Sequence, residues 1–173
     1  MCGIVGICNL KGNPVDALLL QKMTDVLEHR GPDDRGAFTD KNIGLGHRRL
    51  SIIDISAAGH QPMTNKDETL QVVFNGEIYN FQKLREVLKN SGHYFKSKTD
   101  TEVVLHGYEE WGADCLKKFD GMFTFAIFNK KNGELFLARD RLGEKPLYYF
   151  LDEDKFVFAS EIKAILEDKS IQR

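Results

Sequence analysis

The sequence has no long apolar run, few cysteines and prolines, and almost no excess of charge of either sign. None of its hydrophobic stretches approaches the ~20 residues that a transmembrane helix needs. Its three cysteines include no C-x-x-C pair, which argues against both a disulfide framework and a zinc site. With 4 prolines and 42% hydrophobic residues, the chain is also unlike a disordered or collagen-like protein. A single globular domain over residues 1–173 is therefore expected, large enough to bury a core.

The net charge indicates which partners are expected, and the first residues of the chain indicate the location. The formal net charge is −2, so nothing in the composition indicates nucleic acid or a membrane surface as a partner. The start of the chain lacks the basic leader and apolar region of a secretion signal. We therefore expect a cytoplasmic protein that binds neither nucleic acid nor membrane.

The order of predicted elements indicates an α+β fold. Strand-like segments stand near both ends of the chain and helical periodicity is concentrated between them, which favours antiparallel sheets packed with helices. Asp16 is the expected N-cap of the first helix. Strands are predicted over 2–8, 35–39, 43–54, 69–74, 122–129, 134–139, 146–151 and 155–159, and helices over 16–27, 79–90, 100–118 and 161–167.

Cys2 is the cysteine whose position points to chemistry. It follows Met1, and an initiator methionine before a small residue is commonly removed. Cys2 would then carry a thiol and a free α-amine with an intrinsic pKa of about 7.7–8.0, which is able to accept the thiol proton. The simpler interpretation makes Cys2 the first apolar residue of a strand. Cys8 and Cys115 are expected to be inert core thiols.

Two adjacent arginines and an Asn-Gly pair are the next candidates. Arg48 and Arg49 interrupt a strand-like run, so one of them is expected to face a pocket, where its planar fork would hold a carboxylate. Alternatively, both are solvated arginines of an edge strand. Asn75-Gly76 most often marks a hairpin turn, but a helix-like segment follows here, so the Asn75 amide and the Gly76 N–H are candidates for binding an oxyanion.

The remaining polar candidates are two acids and the histidines. Glu77 and Asp100 are carboxylates that would bind an ammonium group, or else are surface acids or helix caps. The five histidines show no metal-ligand spacing, so no metal site is predicted. His60, which precedes Gln61-Pro62, is interpreted as structural rather than catalytic.

A series of motifs, in order along nearly the whole chain, resembles a known family. The sequence is similar to the N-terminal glutaminase domain of glutamine-hydrolysing asparagine synthetases, which are class-II glutamine amidotransferases. The segments Arg49–Asp54 and Asn75–Asn80 favour this branch over the branches that amidate phosphosugars. The motifs that carry the resemblance are Cys2–Gly6, Arg30–Asp33, Arg49–Asp54, Gly59–Pro62, Asn75–Asn80, Asp100–Val103, Gly121–Phe123, Arg139–Gly143 and Ser160–Lys163.

The resemblance implies the N-terminal-nucleophile hydrolase fold, a four-layer αββα sandwich, and a set of residue roles. Cys2 would attack the side-chain amide of L-glutamine while its α-amine carries the proton, and Asn75 with Gly76 would form the oxyanion hole. Arg49 would bind the α-carboxylate, and Glu77 and Asp100 the α-ammonium. The segment Arg49–Ile53, with Leu50, Ser51 and Ile52 between its ends, would line the pocket as a strand.

The resemblance also implies what this chain does not contain. A C-terminal synthetase domain that uses ATP and Mg²⁺ would receive the ammonia, and its Ser-Gly-Gly-x-Asp-Ser loop does not occur in these 173 residues. No cofactor is expected in the glutaminase domain itself. The departures from the family pattern are small, Thr124 and Glu144 in place of apolar residues, and neither belongs to the catalytic set.

Several questions stay open at the level of sequence. The acceptor of the ammonia is aspartate or another carboxylate, and the chain is monomeric or a homodimer. Two other functions remain alternatives: a hydrolase of the same fold that acts on a different amide, and a non-catalytic regulatory module. Arg49, Glu77 and Asp100 favour a free α-amino acid over a different amide, and the presence of Cys2, Asn75 and Asp100 argues against a non-catalytic module.

Overall fold

The computed structural model describes residues 1–171, which form nine strands and four α-helices. The strands are β1 (Gly3–Asn9), β2 (Asp34–Asp40), β3 (Ile43–Arg49), β4 (Met63–Thr64), β5 (Leu70–Ile78), β6 (Gly121–Asn129), β7 (Glu134–Arg139), β8 (Tyr148–Leu151) and β9 (Lys155–Ala159). The helices are α1 (Ala17–Asp25), α2 (Phe81–Asn90), α3 (Asp100–Trp111) and α4 (Ile162–Ile165), and 3₁₀ turns cover Glu28–Arg30, Ala57–Gly59 and Gly112–Lys117. Within residues 1–171, no helix has the length and apolar character needed to cross a membrane.

The strands form two antiparallel sheets that pack face to face between helices. The first sheet has the order β2-β3-β1-β9-β8, and the second has the order β4-β5-β6-β7. One apolar cluster lies between the sheets, a second joins the first sheet to α1 and α4, and a third joins the second sheet to α2 and α3. This is the four-layer αββα sandwich that the family resemblance implies, and it agrees with the α+β class that the sequence pattern predicts.

Alternation along β3 explains how one strand serves two layers. Ile43 and Leu45 face the other sheet, whereas Gly44 and Gly46 face α1. A Cβ atom on Gly46 would lie 2.2 Å from the Thr24 hydroxyl oxygen, so glycine is what allows α1 to approach the sheet. As the sequence predicts, α1 begins after Asp16, whose carboxylate accepts hydrogen bonds from the N–H groups of Leu18 and Leu19.

Three predicted boundaries differ from the structure for identifiable reasons. The predicted strand over 43–54 ends at Arg49, because the chain folds back and the Arg49 guanidinium binds carbonyl groups of the following loop. β5 does not end at residue 74 but continues to Ile78, paired along its length with β6. The predicted helix over 100–118 is α-helical only as far as Trp111. Gly112, with a positive φ of 55°, ends α3, and a 3₁₀ turn follows.

Candidate active site

A cleft opens where the start of β1, the end of β3 and the second half of β5 come together. Cys2, Arg49, Asn75, Gly76 and Asp100 all contribute to its wall. In the sheet register Gly3 lies opposite Arg48, so Cys2 and Arg49 stand at the same end of the first sheet. The structure therefore brings together side chains from four separate segments that the sequence singles out independently.

The backbone around Cys2 is held from two sides. The Arg30 side chain donates from Nε to the Cys2 carbonyl (2.9 Å) and from Nη1 to Glu161 (3.0 Å). The Ser160 hydroxyl accepts a hydrogen bond from the N–H of Ile4 (3.0 Å). These contacts explain structurally why the motifs at Arg30–Asp33 and Ser160–Lys163 accompany a reactive chain start.

The Cys2 thiol is half-buried and protonated at neutral pH. Its Sγ lies 3.4 Å from the Leu50 N–H nitrogen and 3.8 Å from the Leu50 carbonyl oxygen. Burial raises the pKa of this thiol, and the nearby chain terminus and Arg49 oppose the shift only in part. A nucleophilic role for Cys2 therefore requires a base, because the thiolate is the reactive form.

Arg48 and Arg49 point to opposite faces of β3, and neither is a solvated edge-strand residue. Arg48 donates to the Asp25 carboxylate (2.8 Å) on the α1 side. Arg49 is buried at the cleft, where it binds the carbonyl groups of Ser56 (2.9 Å) and Asp54. A Cβ on Gly59 would lie 1.9 Å from Arg49 Nη2, so glycine at this position lets the loop pack against the guanidinium without displacing it.

Asn75 and Gly76 lie inside β5 rather than in a hairpin turn, opposite Thr124 and Phe123 of β6. The Asn75 side chain is only 1% exposed, and its Nδ2 has no hydrogen-bond partner among residues 1–171. Buried amide donors are almost always paired, so this one is available to a group that enters the cleft. A side chain at Gly76 would collide with the Met122 carbonyl oxygen at 2.4 Å.

Two acidic residues, Glu77 and Asp100, line the cleft. Asp100 is the first residue of α3, is 5% exposed and accepts a hydrogen bond from the Ile78 N–H (3.0 Å). Burial, together with the charge of the neighbouring Glu77, raises the pKa of Asp100 to about 6. The helix cap is Thr99, whose hydroxyl accepts from the Glu102 N–H, so Asp100 has no capping role. An ammonium group is the ligand that such a pair of acids would stabilise.

The segment 49–53, which is predicted to line the pocket, contributes only some of its residues to the cleft. Leu50, Ile52 and Ile53 line the cleft, but as a loop rather than a strand. Ser51 instead lies along a neighbouring groove with Asp33, and its N–H donates to the Asp33 carboxylate (2.7 Å). The cause is the end of β3 at Arg49, after which the side chains no longer alternate regularly.

Lys145 is a cleft residue that sequence reasoning missed. It is 6% exposed, and its ammonium lies 3.1 Å from the sulfur of Met1. The Asp140 carboxylate accepts from its N–H (3.0 Å) and Arg139 donates to its carbonyl (2.6 Å), so the Arg139–Gly143 motif holds this lysine in place. A lysine after a glycine turn resembles any surface lysine, and only the preceding motif could have drawn attention to it.

Two antiparallel sheets packed between helices, with a thiol near the chain start that lines the cleft, form the arrangement that the family resemblance implies. The family model described as "Glutamine amidotransferase domain" matches residues 1–173. The chain therefore belongs to the glutamine amidotransferase family.

Two named relatives agree with this assignment. The chain is 44% identical over 175 residues to "Asparagine synthetase [glutamine-hydrolyzing] 3" of Bacillus subtilis, covering 99% of this chain and 28% of that protein. It is also 44% identical to "Putative asparagine synthetase [glutamine-hydrolyzing] 2" of Methanocaldococcus jannaschii, covering 100% of this chain and 36% of that protein. The chain thus spans about a third of the length of these relatives.

Among solved structures, the glutamine phosphoribosylpyrophosphate amidotransferase of B. subtilis superposes with a TM-score of 0.80. The match covers 95% of this chain and 43% of that one at 23% sequence identity. At this identity, the likeness shows the fold alone.

Proposed function

We propose that this chain hydrolyses the side-chain amide of L-glutamine and supplies the ammonia to a synthetase part of a longer protein. The observation that carries the proposal is the composition of one cleft: a thiol, an unpartnered buried amide donor, a buried arginine and two acids. A free α-amino acid presents a carboxylate and an ammonium on one carbon. Arg49 and the two acids Asp100 and Glu77, which line the same cleft, provide complementary charges for both groups.

The reaction proceeds in two steps, formation of a thioester and its hydrolysis. In the first, the Cys2 sulfur attacks the amide carbon of glutamine and the Cys2 α-amine accepts the thiol proton, which it passes to the leaving nitrogen. The C–N bond breaks, ammonia departs and a glutamyl thioester remains on Cys2. In the second, the amine takes a proton from water and the hydroxide attacks the thioester carbon. The C–S bond breaks, the amine returns the proton to the Cys2 sulfur, and glutamate leaves. Removal of Met1 is required, because the nitrogen of Cys2 is otherwise part of a peptide bond.

The oxyanion hole is assigned to the Asn75 amide and the Gly76 N–H. Negative charge develops on the amide oxygen during attack, and a donor that is already buried and unpaired stabilises it without reorganisation. The close approach of β6 to Gly76 keeps this part of β5 free of a side chain.

The acceptor of the ammonia is proposed from the relatives. Because these relatives are named asparagine synthetases, aspartate is the first candidate, and another carboxylate is the alternative. ATP and Mg²⁺ would act in the synthetase part, and the proposed hydrolysis of glutamine uses neither.

Replacement of Asn75 by alanine should lower kcat for glutamine hydrolysis by about 10²–10³, with a smaller change in KM, because the donor acts on transition-state charge. Steady-state glutamate release measures both constants. Asn42→Ala is a matched control, since Asn42 donates to the Asn9 carbonyl at the far end of β3 and should leave both constants unchanged. A rise in KM alone for Asn75→Ala would make Asn75 a binding residue instead.

Asp100 should make glutamine binding dependent on pH. The carboxylate form of Asp100 pairs with the α-ammonium of glutamine, and burial raises its pKa to about 6. KM should therefore rise as the pH falls through this value. Glu77 is the other acid whose charge acts on Asp100. Asp100→Asn should have a high KM without this dependence.

The same variant should be more stable. A folded-state pKa above the usual value means that the native fold disfavours the charged form at neutral pH, by up to about 3 kcal/mol. Removing the charge should therefore raise Tm at pH 7. A KM that is flat across this pH range, or a lower Tm for Asp100→Asn, would contradict the assignment.

A further inference from the structure

A cluster of two histidines and one glutamate lies beside α3, apart from the side chains assigned to glutamine chemistry. His93 belongs to the connection between α2 and α3, and His106 and Glu109 are on α3. One donor atom of each residue lies within 4.8 Å of the other two. The Nδ1 atoms of His93 and His106 are 3.4 Å and 3.0 Å from Oε2 of Glu109.

These separations resemble those of ligands around a tetrahedral metal ion. Zinc binds histidine nitrogen and carboxylate oxygen at about 2.0–2.2 Å, which places neighbouring ligand atoms roughly 3.3 Å apart. A set of two imidazoles and one carboxylate suits zinc and similar transition metals rather than calcium or magnesium, which prefer oxygen ligands.

The atoms of the cluster that point away from this centre also have polar neighbours. His93 Nε2 lies 2.9 Å from a Glu110 oxygen, and His106 Nε2 lies 3.8 Å from a Glu102 oxygen. Asn65 donates to Oε1 of Glu109 at 3.0 Å, which leaves Oε2 for the shared centre. Metal-bound histidines almost always donate their second N–H to a carboxylate or carbonyl, and such partners fix the orientation of the ligands.

We propose that His93, His106 and Glu109 bind a divalent cation of the zinc class. Three protein ligands leave one coordination position, and the Glu109 side chain is 33% exposed, so water can reach the ion. The ion ties the connection 91–99 to α3, whose first residue, Asp100, lines the cleft. The site is independent of the proposed glutaminase reaction and stabilises the segment that presents Asp100.

Metal titration of untagged, chelator-treated protein tests this proposal. Co²⁺ should bind at one equivalent with the absorption of a tetrahedral site, and Zn²⁺ should displace it and raise Tm. His93→Gln and Glu109→Gln should each weaken binding more than about tenfold, since loss of an outer partner alone weakens metal affinity by about 10- to 100-fold. Circular dichroism checks their folding, and Glu110→Gln, which removes only the outer partner of His93, provides a milder test.

Two controls separate this site from other metal ligands. His29 also pairs with a carboxylate, Glu161, at 2.9 Å, and His29→Gln should bind Co²⁺ like the parent protein. Cys2→Ala should do the same, which excludes the thiol as the ligand. Absence of binding at micromolar Co²⁺ would overturn the proposal and leave His93, His106 and Glu109 as hydrogen-bonding partners only. Equal binding by the parent and by both cluster variants would also overturn it.

Discussion

Replacement of Cys2 by alanine should abolish glutamine hydrolysis and leave the fold intact. The thiol is the only sulfhydryl group among the described residues that line the cleft, and without it no thioester can form. Its surroundings are held by Arg30 and Ser160 through backbone contacts that alanine preserves. Glutamate release measures the loss, and circular dichroism with Tm verifies the fold.

Cys8→Ala is the matched control for this variant. Cys8 lies near the far end of β1, the strand that follows Cys2, and its sulfur is 4.0 Å from the Asn42 amide. Burial raises the pKa of its thiol as well. The Cys8 variant should retain full turnover. Continued glutamine hydrolysis by the Cys2 variant would contradict a nucleophilic role, and loss of activity in both variants would indicate a general effect on the fold.

Replacement of Arg49 by alanine should raise KM for glutamine strongly. Removing one partner of a buried, hydrogen-bonded charge pair typically costs about 2–5 kcal/mol, and here the partner is the α-carboxylate of the substrate. Arg49→Lys should restore binding only in part, because a point charge cannot reproduce the bidentate geometry of the guanidinium or its contacts with the loop.

Arg48 is the neighbouring control for Arg49. Its guanidinium pairs with Asp25 on the opposite face of β3, so Arg48→Ala should lower Tm slightly and leave KM nearly unchanged. Equal increases in KM for the two alanine variants would show that the guanidinium of Arg49 does not bind the substrate. Comparison with simple primary amides would show whether the loss is specific to an α-amino acid.

The sequence predicts those features that depend on short-range periodicity. Successive side chains of a strand face opposite ways, so the prediction that Arg48 and Arg49 separate is confirmed. The cap at Asp16 and the α+β class with antiparallel sheets are confirmed as well, since local hydrogen bonding and apolar spacing indicate them, whereas the four-layer order comes from the family resemblance. The roles of individual cleft residues come from family resemblance and remain proposals.

Features that depend on residues far apart in the sequence cannot be predicted from local periodicity. Asn75-Gly76 is locally a turn sequence, and only its pairing with Thr124 and Phe123 keeps it in a strand. The end of β3 depends on loop carbonyl groups that bind Arg49. The sequence spacing of His93 and His106 is not that of a recognisable metal-binding motif. The two residues come together only through the connection between α2 and α3.

Intact-mass measurement of protein quenched in acid during glutamine turnover tests the Cys2 mechanism most directly. Protein that begins at Cys2 should gain the mass of one glutamyl group, located on Cys2 by peptide mapping and absent without glutamine. A form that retains Met1 should show neither the adduct nor glutamate release, because its Cys2 nitrogen cannot act as the base. Robust turnover by the form that retains Met1, or a glutamyl group on another residue, would contradict the mechanism.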